Sequence, residues 1–571
     1  MPKHIPSPLP LLIIALSACT SPAAEPKHDI VPEGEYPFWP AYSKVPVDQI
    51  EPQPWRTHDD VIDGWDWSLP PSVRVSPRSL LCVSRNMRSL PQVNFEANPV
   101  ISLWVRWKDL EPEEGRYEFG PLIEDLQKIE AAGYGAIIRP MTSVWESVRY
   151  PDPATTPQRM RDSKKCAPRY LVEKYDVPRI EEKPKTSWRI INLDVTHPDF
   201  HRRYLKLVEA IGESGIPRMD VVRGIIVGYA SSSWGDEHIG PRDQMDPPHV
   251  RERLDAWADA CRGVETKVCM GGPSEYGFGK GFGVRGGFVE MYLYQLPERY
   301  IGQRIDPAGY LAVDENATII RNRSFSGDEN EEYEESWVHR FGALESFTYR
   351  YFTSSLRLLQ MRRNYLLNNP FCVYPEMLPF ISLEMGRTVE DTPDVWCVLR
   401  ESRIRASNYQ GKDWEQREFS PEEKANGVPV RNFERWLHQR DREGFETSPA
   451  VKIKWPIRMW MVPEGKDHDY VARAGKRIGL AIDDRFLDTD SPHRVAVKVT
   501  YFDLAEGQLT VHYQTPDGSA NRQVPLNATG QLKTATFFLD NALFSAGGMD
   551  YDLIVEGEPE AVVSMVRVVR L

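Results

Sequence analysis

Two hydrophobic periodicities follow one another along this chain, and together they constrain its fold more than any other feature. From about residue 73 to 410, short apolar runs alternate with segments in which apolar residues recur every three to four positions. The runs 101–107 and 134–139 are typical of buried strands, whereas 121–132 and 200–211 each place their apolar residues on one helical face. Strands that alternate with helices predict a parallel sheet, and the length of this region suits a (β/α)8 TIM barrel.

Further strands are predicted at 221–230, 266–270, 287–294, 318–325 and 380–384, with helices at 250–261 and around 344–367. An open doubly wound sheet is the alternative for such alternation. That fold binds nucleotides through a glycine-rich loop at the start of a helix, and no such loop opens any of these helices. The barrel is therefore the preferred prediction.

Beyond residue 466 the hydrophobic period changes to two. Leu509, Val511 and Tyr513 share one face of a run, and polar residues occupy the positions between them. Several short runs of this kind, separated by turn residues, predict an antiparallel β-sandwich over 466–571. The segment 411–465 is polar, charged and tryptophan-bearing, and we interpret it as a connection between the two domains.

The first residues have the pattern of an export signal. Lys3 and His4 precede the apolar stretch 9–16, which is too short to cross a bilayer and leads into Leu-Ser-Ala-Cys. This ending resembles the bacterial lipobox, in which the cysteine becomes the lipid-modified first residue of the mature chain. We therefore expect residues 1–18 to be a lipoprotein signal peptide and Cys19 to be lipidated.

The residues after this signal favour one destination. Thr20, rather than aspartate, follows the cysteine, and the known sorting preference then favours the outer membrane, where the lipid would anchor the exported chain. The segment 19–72 begins with a stretch rich in Pro, Ala and Glu that is typical of a tether. The alternative is cleavage after Ala18 that leaves Cys19 unmodified.

Charge and cysteine spacing exclude further classes of function. The chain has 70 Lys and Arg against 83 Asp and Glu, a net charge of −13, so we expect no nucleic-acid partner, which would need clustered cations. The cysteines other than Cys19 form no CxxC pair and no Cys/His cluster, so no metal site and no cofactor is predicted. A mean hydropathy of −0.48 argues against a polytopic membrane protein.

In a barrel of this kind the working residues lie at the carboxyl ends of the strands. The residues that close or follow the predicted strands supply the candidates for binding and catalysis, which are Arg106, Trp107, Arg139, Trp145, Trp234, Asp236, Glu237, Tyr292, Tyr294 and Glu329. Tryptophan and tyrosine offer flat faces on which sugar rings stack, and arginines there, with Arg321 and Arg323, can grip a sulfate or carboxylate. The alternatives are that the aromatic side chains are core and that the arginines pair with neighbouring acids.

The stretch after the second strand carries a resemblance to a known family. Residues 107–119 read Trp-Lys-Asp-Leu-Glu-Pro-Glu-Glu-Gly-Arg-Tyr-Glu-Phe, which resembles clan A glycoside hydrolases, particularly the β-galactosidase-like branches, over roughly residues 75–400. The resemblance implies a retaining β-glycosidase whose acid/base carboxylate closes strand four and whose nucleophile closes strand seven. Glu237 and Glu329 take those places. The family has asparagine before the acid/base, where this chain has Asp236.

Paired carboxyl groups are what glycosidic cleavage requires, independently of any family. One carboxyl stays protonated to donate to the leaving oxygen, and the other stays ionised to attack the anomeric carbon. Two carboxyls in one cleft push each other's pKa values apart, which favours this division. The alternatives are that Glu237 is a solvated loop acid or pairs with His238, and that Glu329 belongs to a solvated acidic run over 328–332.

These observations predict an exported retaining β-glycosidase that acts on a plant or algal polysaccharide or its oligosaccharides, with β-galactoside linkages slightly preferred on the resemblance. The C-terminal sandwich resembles the accessory domains that accompany such barrels. The alternative is a catalytically silent glycan-binding surface lipoprotein, which Asp236 in place of asparagine keeps open. A polysaccharide lyase is less expected, because no Tyr/His or Lys constellation stands out.

Overall fold

The structure of the protein is a computed structural model. The residues that it describes are 44–85, 87, 90–149, 165–181, 188–228, 248–272, 274–288, 303–329, 346–367, 371–406, 418–454, 468–544 and 551–571. Several of the predicted features lie outside the described residues, namely the signal peptide 1–18, Cys19, Trp234, Asp236, Glu237, Tyr292 and Tyr294.

Eight parallel strands form a sheet that closes on itself (the parallel sheet). Each strand pairs with the next one along the chain, and the eighth pairs with the first. In chain order the strands are Leu80–Ser84, Pro99–Arg106, Gly135–Met141, Val222–Val227, Val268–Met270, Gly283–Phe288, Gly327–Glu329 and Tyr365–Leu367. Because all of these strands run in the same direction, their carboxyl ends meet at one end of the sheet and their amino ends at the other. The predicted parallel sheet is confirmed.

Side chains fill the inside of the parallel sheet. Its buried inner cluster consists of Leu80, Cys82, Val100, Ile137, Ile226, Cys269, Phe325, Tyr365 and Leu367. The aromatic ring of Phe325 packs edge-on against Tyr365, with centroids 4.8 Å apart. Glycine is required next to Phe325, because a Cβ on Gly224 would lie 2.6 Å from its ring. Since Phe325 precedes the seventh strand, the interior is packed at its amino end.

Helices connect most of these strands and pack against the sheet. Within the described ranges, the α-helices between the strands and after the eighth are Trp107–Leu110, Gly120–Ala131, Tyr170–Glu173, Pro198–Glu213, Pro248–Ala260, Glu275–Gly279, Thr318–Arg321, Ser346–Gln360, Leu378–Glu384 and Pro421–Asn426. The helices predicted at 121–132, 200–211 and 250–261 are confirmed. In the described part of the chain no helix lies between the first two strands, so that part does not show a complete eightfold repeat of strand and helix.

The helix Pro198–Glu213 shows how local sequence produces these elements. Pro198 takes the first helical position, where proline is tolerated, and the His197 side chain accepts a hydrogen bond from the Asp199 backbone N–H (3.3 Å). Its buried residues recur at helical spacing and are Phe200, Arg203, Tyr204, Leu207, Val208, Ala210 and Ile211. The apolar stripe fixes the helix on the sheet and positions Arg203 in the core.

Two predicted strands are wrong. The run 318–325 contains the helix Thr318–Arg321, and the seventh strand is Gly327–Glu329. The run 380–384 lies in the helix Leu378–Glu384. Both runs are short, and over so few residues a buried turn of helix and a buried strand have the same apolar pattern.

The positions of the sixth and eighth strands also differ from the prediction. The eighth strand is Tyr365–Leu367, inside the region predicted as helix, because the helix Ser346–Gln360 ends earlier. Arg362 follows it with a φ of 57°, a left-handed conformation that terminates a helix. The sixth strand is Gly283–Phe288 rather than 287–294.

A separate antiparallel sheet of 11 strands forms the second unit of the structure. Its strands are Asp60–Asp63, Asp394–Ile404, Val428–Arg435, Leu437–Gln439, Ser448–Lys454, His468–Ile482, His493–Phe502, Glu506–Thr515, Gly518–Asn527, Leu532–Ala542 and Leu553–Arg570. Three of them lie in the predicted connection 411–465, and one lies in the N-terminal segment 19–72. The predicted limits at 410 and 466 therefore do not coincide with the limits of the sheet.

The antiparallel strands pair continuously rather than as two separate sheets. Leu553–Arg570 is 18 residues long and pairs with four other strands, so it joins them into one sheet. The predicted alternation holds, because Leu509, Val511 and Tyr513 are buried while the residues between them are partly exposed. These side chains belong to a hydrophobic core distinct from that of the parallel sheet.

Buried ion pairs lie within the antiparallel sheet and between it and the segment that follows its first strand. The Lys498 Nζ lies 2.8 Å from Asp66 Oδ2, and Arg567 Nε donates a hydrogen bond of 2.7 Å to Asp394 Oδ2. Burial, together with the nearby charge of Arg567, lowers the pKa of Lys498 to about 7. Because these groups are almost free of solvent, each charge depends on its partner for compensation.

The remaining sequence questions concern cysteines, membrane spans and metals. The cysteines that the structure describes are buried and none of them is in a disulfide, namely Cys82, Cys166, Cys261, Cys269, Cys372 and Cys397. Among the described residues, no helix has the length and apolar character needed to cross a membrane. Within the same ranges, no group of three or more His, Cys, Asp or Glu side chains is arranged to hold a metal ion.

Candidate active site

A partly exposed tryptophan lies at the carboxyl end of the second strand. Trp104 follows Val100 and Ser102 at two-residue spacing, and Val100 belongs to the inner cluster, so Trp104 shares the inner face. The Trp104 side chain is 41% exposed, which is unusual for a large aromatic residue in this protein. It is therefore available at the carboxyl end of the sheet as a flat surface for a ligand.

A buried arginine accompanies this tryptophan. Arg139 pairs in register with Trp104 on the neighbouring third strand and is 3% exposed. Its guanidinium carbon lies 5.1 Å from the centroid of the Trp104 ring, a cation–π contact. The prediction that Arg139 lies near the carboxyl end of a strand is consistent with this position, and its partner there is Trp104.

A second buried arginine and a tyrosine lie deeper inside the sheet. Arg285 of the sixth strand is 4% exposed, and Tyr365 of the eighth strand is fully buried. Burial, and to a smaller extent the Cys82 sulfur, raises the pKa of Tyr365 well above its ordinary value, while the charges of Arg139 and Arg285 oppose that rise. The positive charges of Arg139 and Arg285, which lie on different strands, thus both contribute to the electrostatic field inside the parallel sheet.

Of the two predicted catalytic carboxylates, the structure describes the backbone of one, Glu329, and no part of the other, Glu237. Glu329 is the last residue of the seventh strand, and its backbone pairs with Phe288 and Leu367. Leu367 belongs to the inner cluster, and Glu329 shares its register position. The Glu329 side chain lies outside the described residues, as does all of Glu237, which follows the fourth strand in sequence.

Trp107 is not a sugar platform, contrary to the prediction. It is fully buried, its Nε1 donates a 2.7 Å hydrogen bond to Glu111 Oε2, and it packs edge-on against Phe200 at 5.4 Å. The reason is local, because the second strand ends at Arg106 and a short helix, Trp107–Leu110, begins there. The indole therefore enters the core beneath the helix Pro198–Glu213.

Glu111 has a structural role in the stretch 107–119, which is the stretch that resembles the glycoside hydrolases. Its carboxylate is fully buried and accepts hydrogen bonds from the Gly115 backbone N–H (2.7 Å) and the Tyr170 hydroxyl (2.8 Å), besides that from Trp107. Arg203 pairs with the same carboxylate. All these contacts are internal, so the Trp-to-Glu-to-Gly spacing is a structural device that folds the loop after the second strand.

The structure identifies the neighbours of Arg106 and Trp145, which the sequence does not determine. The Arg106 Nε lies 2.5 Å from Asp109 Oδ2, which matches the alternative of pairing with a local acid. The Trp145 ring has the Lys165 Nζ 3.8 Å from its centroid and the Arg179 guanidinium 5.3 Å away. Each residue lies at or just after the carboxyl end of a strand of the parallel sheet, and each already contacts a charged side chain.

Sequence reasoning missed Trp104, Arg285 and Tyr365. The signal for Trp104 was present, since two-residue alternation from Val100 places it on the inner face. Tyr365 was hidden in a region predicted as helix, and Arg285 precedes the predicted limits of the sixth strand. All three assignments depend on knowing the strand limits to within two residues.

Comparison with known proteins does not identify a family for this chain. No family model matches it. No curated protein matches it either.

Solved structures of glycoside hydrolases are returned by structural comparison, at low similarity. The endo-glycoceramidase II from Rhodococcus sp. is 11% identical, with a TM-score of 0.30, covering 88% of this chain and 100% of that chain. The exo-β-1,4-mannosidase from Opitutaceae bacterium strain TAV5 is 15% identical, with a TM-score of 0.20, covering 33% of this chain and 32% of that one. The β-galactosidase from Rahnella sp. R3 is 9% identical, with a TM-score of 0.26, and the match spans 47% of this chain and 45% of that chain.

Proposed function

We propose that the parallel sheet belongs to a (β/α)8 catalytic barrel that hydrolyses β-glycosidic bonds with retention of configuration. The observation that carries this proposal is the position of Glu329, whose backbone ends the seventh of eight parallel strands in register with an inward-packed leucine. Catalytic groups of such barrels lie at the carboxyl ends of the strands. Glu329 is therefore proposed as the nucleophile.

The charges inside the sheet support an ionised nucleophile at this position. Arg285 pairs in register with Gly327, two residues before Glu329 on the same strand, and Arg139 acts on the same interior. Positive charges nearby favour the ionised form of a carboxyl group and lower its pKa. A nucleophilic carboxylate must be ionised to attack the anomeric carbon.

Glu237 is proposed as the general acid and base. The fourth strand ends at Val227, and Glu237 follows it in the segment that leads to the helix Pro248–Ala260. The neighbours Trp234 and Asp236 are proposed to contact the sugar, together with Tyr292 or Tyr294 after the sixth strand. Trp104 supports the same proposal, since its exposed face supplies a stacking surface at the same end of the sheet.

The proposed substrate is a plant or algal polysaccharide or its oligosaccharides, with β-galactosides first among those to test. Purified protein incubated with a panel of polysaccharides, followed by sizing of the products, tests the function. Release of shorter saccharides from any galactan or related β-glycan supports the enzyme. Saturable binding of a glycan without any products would instead support the alternative of a silent glycan-binding lipoprotein, for which Asp236 remains the motivating residue.

Hydrolysis is expected to retain the anomeric configuration. In retaining enzymes the two carboxyl groups stand about 5–5.5 Å apart, which leaves no room for water between the sugar and the nucleophile. Glu329 then attacks the anomeric carbon and forms a glycosyl-enzyme, and Glu237 activates the water that releases the sugar. Proton NMR of the first-formed product measures the outcome, and initial accumulation of the opposite anomer would reject the mechanism.

We also propose that Cys19 is lipidated and anchors the exported protein at the outer membrane. The apolar stretch 9–16 and the small residues before Cys19 support this. The Cys19→Ser variant is expected to leave the membrane fraction and to lose the lipid mass of the mature N-terminus, as measured by fractionation and mass spectrometry. Normal processing with unchanged membrane association of that variant would contradict the proposal.

A further inference from the structure

The amino end of the parallel sheet holds a cavity that the proposed reaction does not use (the amino-end cavity). Its volume is about 240 Å³. It is lined by Arg78, by residues of 319–326 and by 361–364, which immediately precede the first, seventh and eighth strands. The amino-end cavity therefore lies at the opposite end of the sheet from Trp104 and Glu329.

Arginine dominates the lining of the amino-end cavity. Among the described residues that form it, the arginines are Arg78, Arg321, Arg323, Arg362, Arg363, Arg387 and Arg485, whereas the acids are Glu315 and Glu390. This excess of positive charge contrasts with the net charge of −13 for the whole chain. A concave surface lined by one sign of charge focuses its field and attracts ions of the other sign.

The acids of the lining do not neutralise this excess. Glu315 accepts a hydrogen bond from Arg362 Nε (2.9 Å), and its other oxygen lies 2.9 Å from Arg485 Nη1. The negative charge of Glu390 favours the charged form of Arg570, which is not part of the lining. Neither carboxylate forms an ion pair with Arg78, Arg321 or Arg323 among the described residues.

Arg321 and Arg323 are the most available of these cations. Both are exposed, and neither guanidinium forms an ion pair with another residue in the part of the chain that the structure describes. Arg78 Nη1 donates a hydrogen bond to the Arg323 carbonyl oxygen (3.1 Å), which brings the two cations together. Burial and the charge of Arg323 lower the pKa of Arg78, against the opposing effect of Asp391.

Arg387 adds a further charge that carbonyl oxygens, rather than a carboxylate, hold in place. Its Nε donates to the Leu383 carbonyl (2.5 Å), its Nη1 to the Asp391 carbonyl (2.7 Å) and its Nη2 to the Arg74 carbonyl. These bonds occupy all three nitrogens without neutralising the guanidinium, so Arg387 contributes positive charge to the cavity. Guanidinium groups are the usual partners of phosphate and sulfate oxygens, because they can donate two parallel hydrogen bonds.

We infer that the amino-end cavity binds a tetrahedral oxyanion, a phosphate or sulfate group, either free or as the ester of a small saccharide. The oxyanion would be held between Arg321, Arg323 and Arg78, and its charge would relieve the repulsion between those cations. The volume of the cavity is close to the lower end of small-molecule sites, which suits a ligand of about one sugar unit and no more. This site is independent of the proposed glycosidase activity.

Thermal unfolding and titration calorimetry test the inference on the purified protein. Inorganic phosphate, inorganic sulfate and galactose 6-sulfate are each added, with sodium chloride at matched ionic strength as the reference. At about 100 times the Kd, a bound anion is expected to raise Tm by about 2–4 °C above the chloride reference. A shift with the free ions identifies a free oxyanion as ligand, and a shift with the sulfated sugar alone identifies the ester.

The variant Arg321→Gln/Arg323→Asn is expected to lose the shift and at least tenfold in affinity. Asparagine suits position 323 because Arg323 has a φ of 53°, which asparagine tolerates. Arg494→Gln is the matched control, since Arg494 is exposed and lies in the antiparallel sheet away from the cavity. Equal shifts in chloride and in the oxyanions, or an unchanged shift in the double variant, would overturn the inference.

Discussion

The Glu237→Gln variant is expected to lose about 10²–10⁴-fold in turnover, the usual contribution of general acid–base catalysis. Glu329→Gln is expected to lose at least as much, because glutamine cannot form the glycosyl-enzyme. Both substitutions keep the size of the side chain, so folding should be preserved. Initial rates on the best substrate from the polysaccharide panel, with circular dichroism on each variant, measure the effect.

The acidic residues next to Glu329 supply the matched controls for this prediction. Asp328→Asn and Glu331→Gln remove one negative charge each within the same run and should keep most of the activity. If Glu331→Gln were inactive while Glu329→Gln was fully active, the nucleophile assignment would move to Glu331. Rescue of Glu329→Ala by azide, with a glycosyl azide of inverted configuration as product, would support Glu329 directly.

The Glu111→Gln variant is expected to lose about 3–5 kcal/mol of unfolding free energy, since removing one partner of a buried ion pair leaves the other charge poorly compensated. That charge belongs to Arg203, whose side chain is only 10% exposed and whose other carboxylate neighbour, Glu114 Oε1, is 3.8 Å from its Nη1. The loss of the carboxylate also weakens the bonds from the Trp107 indole and the Tyr170 hydroxyl. Urea unfolding of the variant and the parent chain measures the difference.

Glu113→Gln is the matched control for this measurement. Glu113 lies in the same loop, but its side chain is 70% exposed and its pair with Arg116 is 3.2 Å long. Exposed pairs contribute little, so this variant should change the unfolding free energy by less than about 1 kcal/mol. Similar losses in the two variants would show that the buried carboxylate has no special role.

The parts of the fold that could be predicted are those with long, regular periodicity. The helix Pro198–Glu213 has a capping residue and a continuous apolar stripe, and its prediction is correct to within two residues at each end. The strand Glu506–Thr515 is similarly clear, because alternation over ten residues has one interpretation. The residues of such an element are by themselves sufficient to predict it.

Elements whose form depends on distant partners could not be predicted. Tyr365–Leu367 is three residues long and is a strand only because Gly327–Glu329 and Leu80–Ser84 pair with it on either side. Three apolar residues have no periodicity to read. The same lack of local information explains why Thr318–Arg321 and Leu378–Glu384 were assigned to strands.

For the candidate site, the sequence predicts the position of Glu329 at a strand end but not the orientation of the tryptophans. Glu329 ends the seventh strand as expected, although the strand itself begins later than predicted. Trp104 and Trp107 are harder to tell apart from sequence, since they are three residues apart on either side of the strand end at Arg106. Which of the two indoles faces the interior depends on where the strand gives way to the short helix Trp107–Leu110, and no local pattern marks that point.

The last strand, Leu553–Arg570, has a consequence for how the molecule is assembled during synthesis. It pairs with four strands that precede it, and those pairings cannot be completed until residues 553–570 have left the ribosome. The strand Asp60–Asp63 likewise cannot pair until its partner, Leu532–Ala542, has been synthesised. Contacts between such distant segments slow folding. The chain is therefore expected to complete this sheet only after residues 553–570 have been synthesised, and a stop codon before residue 553 should leave the sheet unassembled.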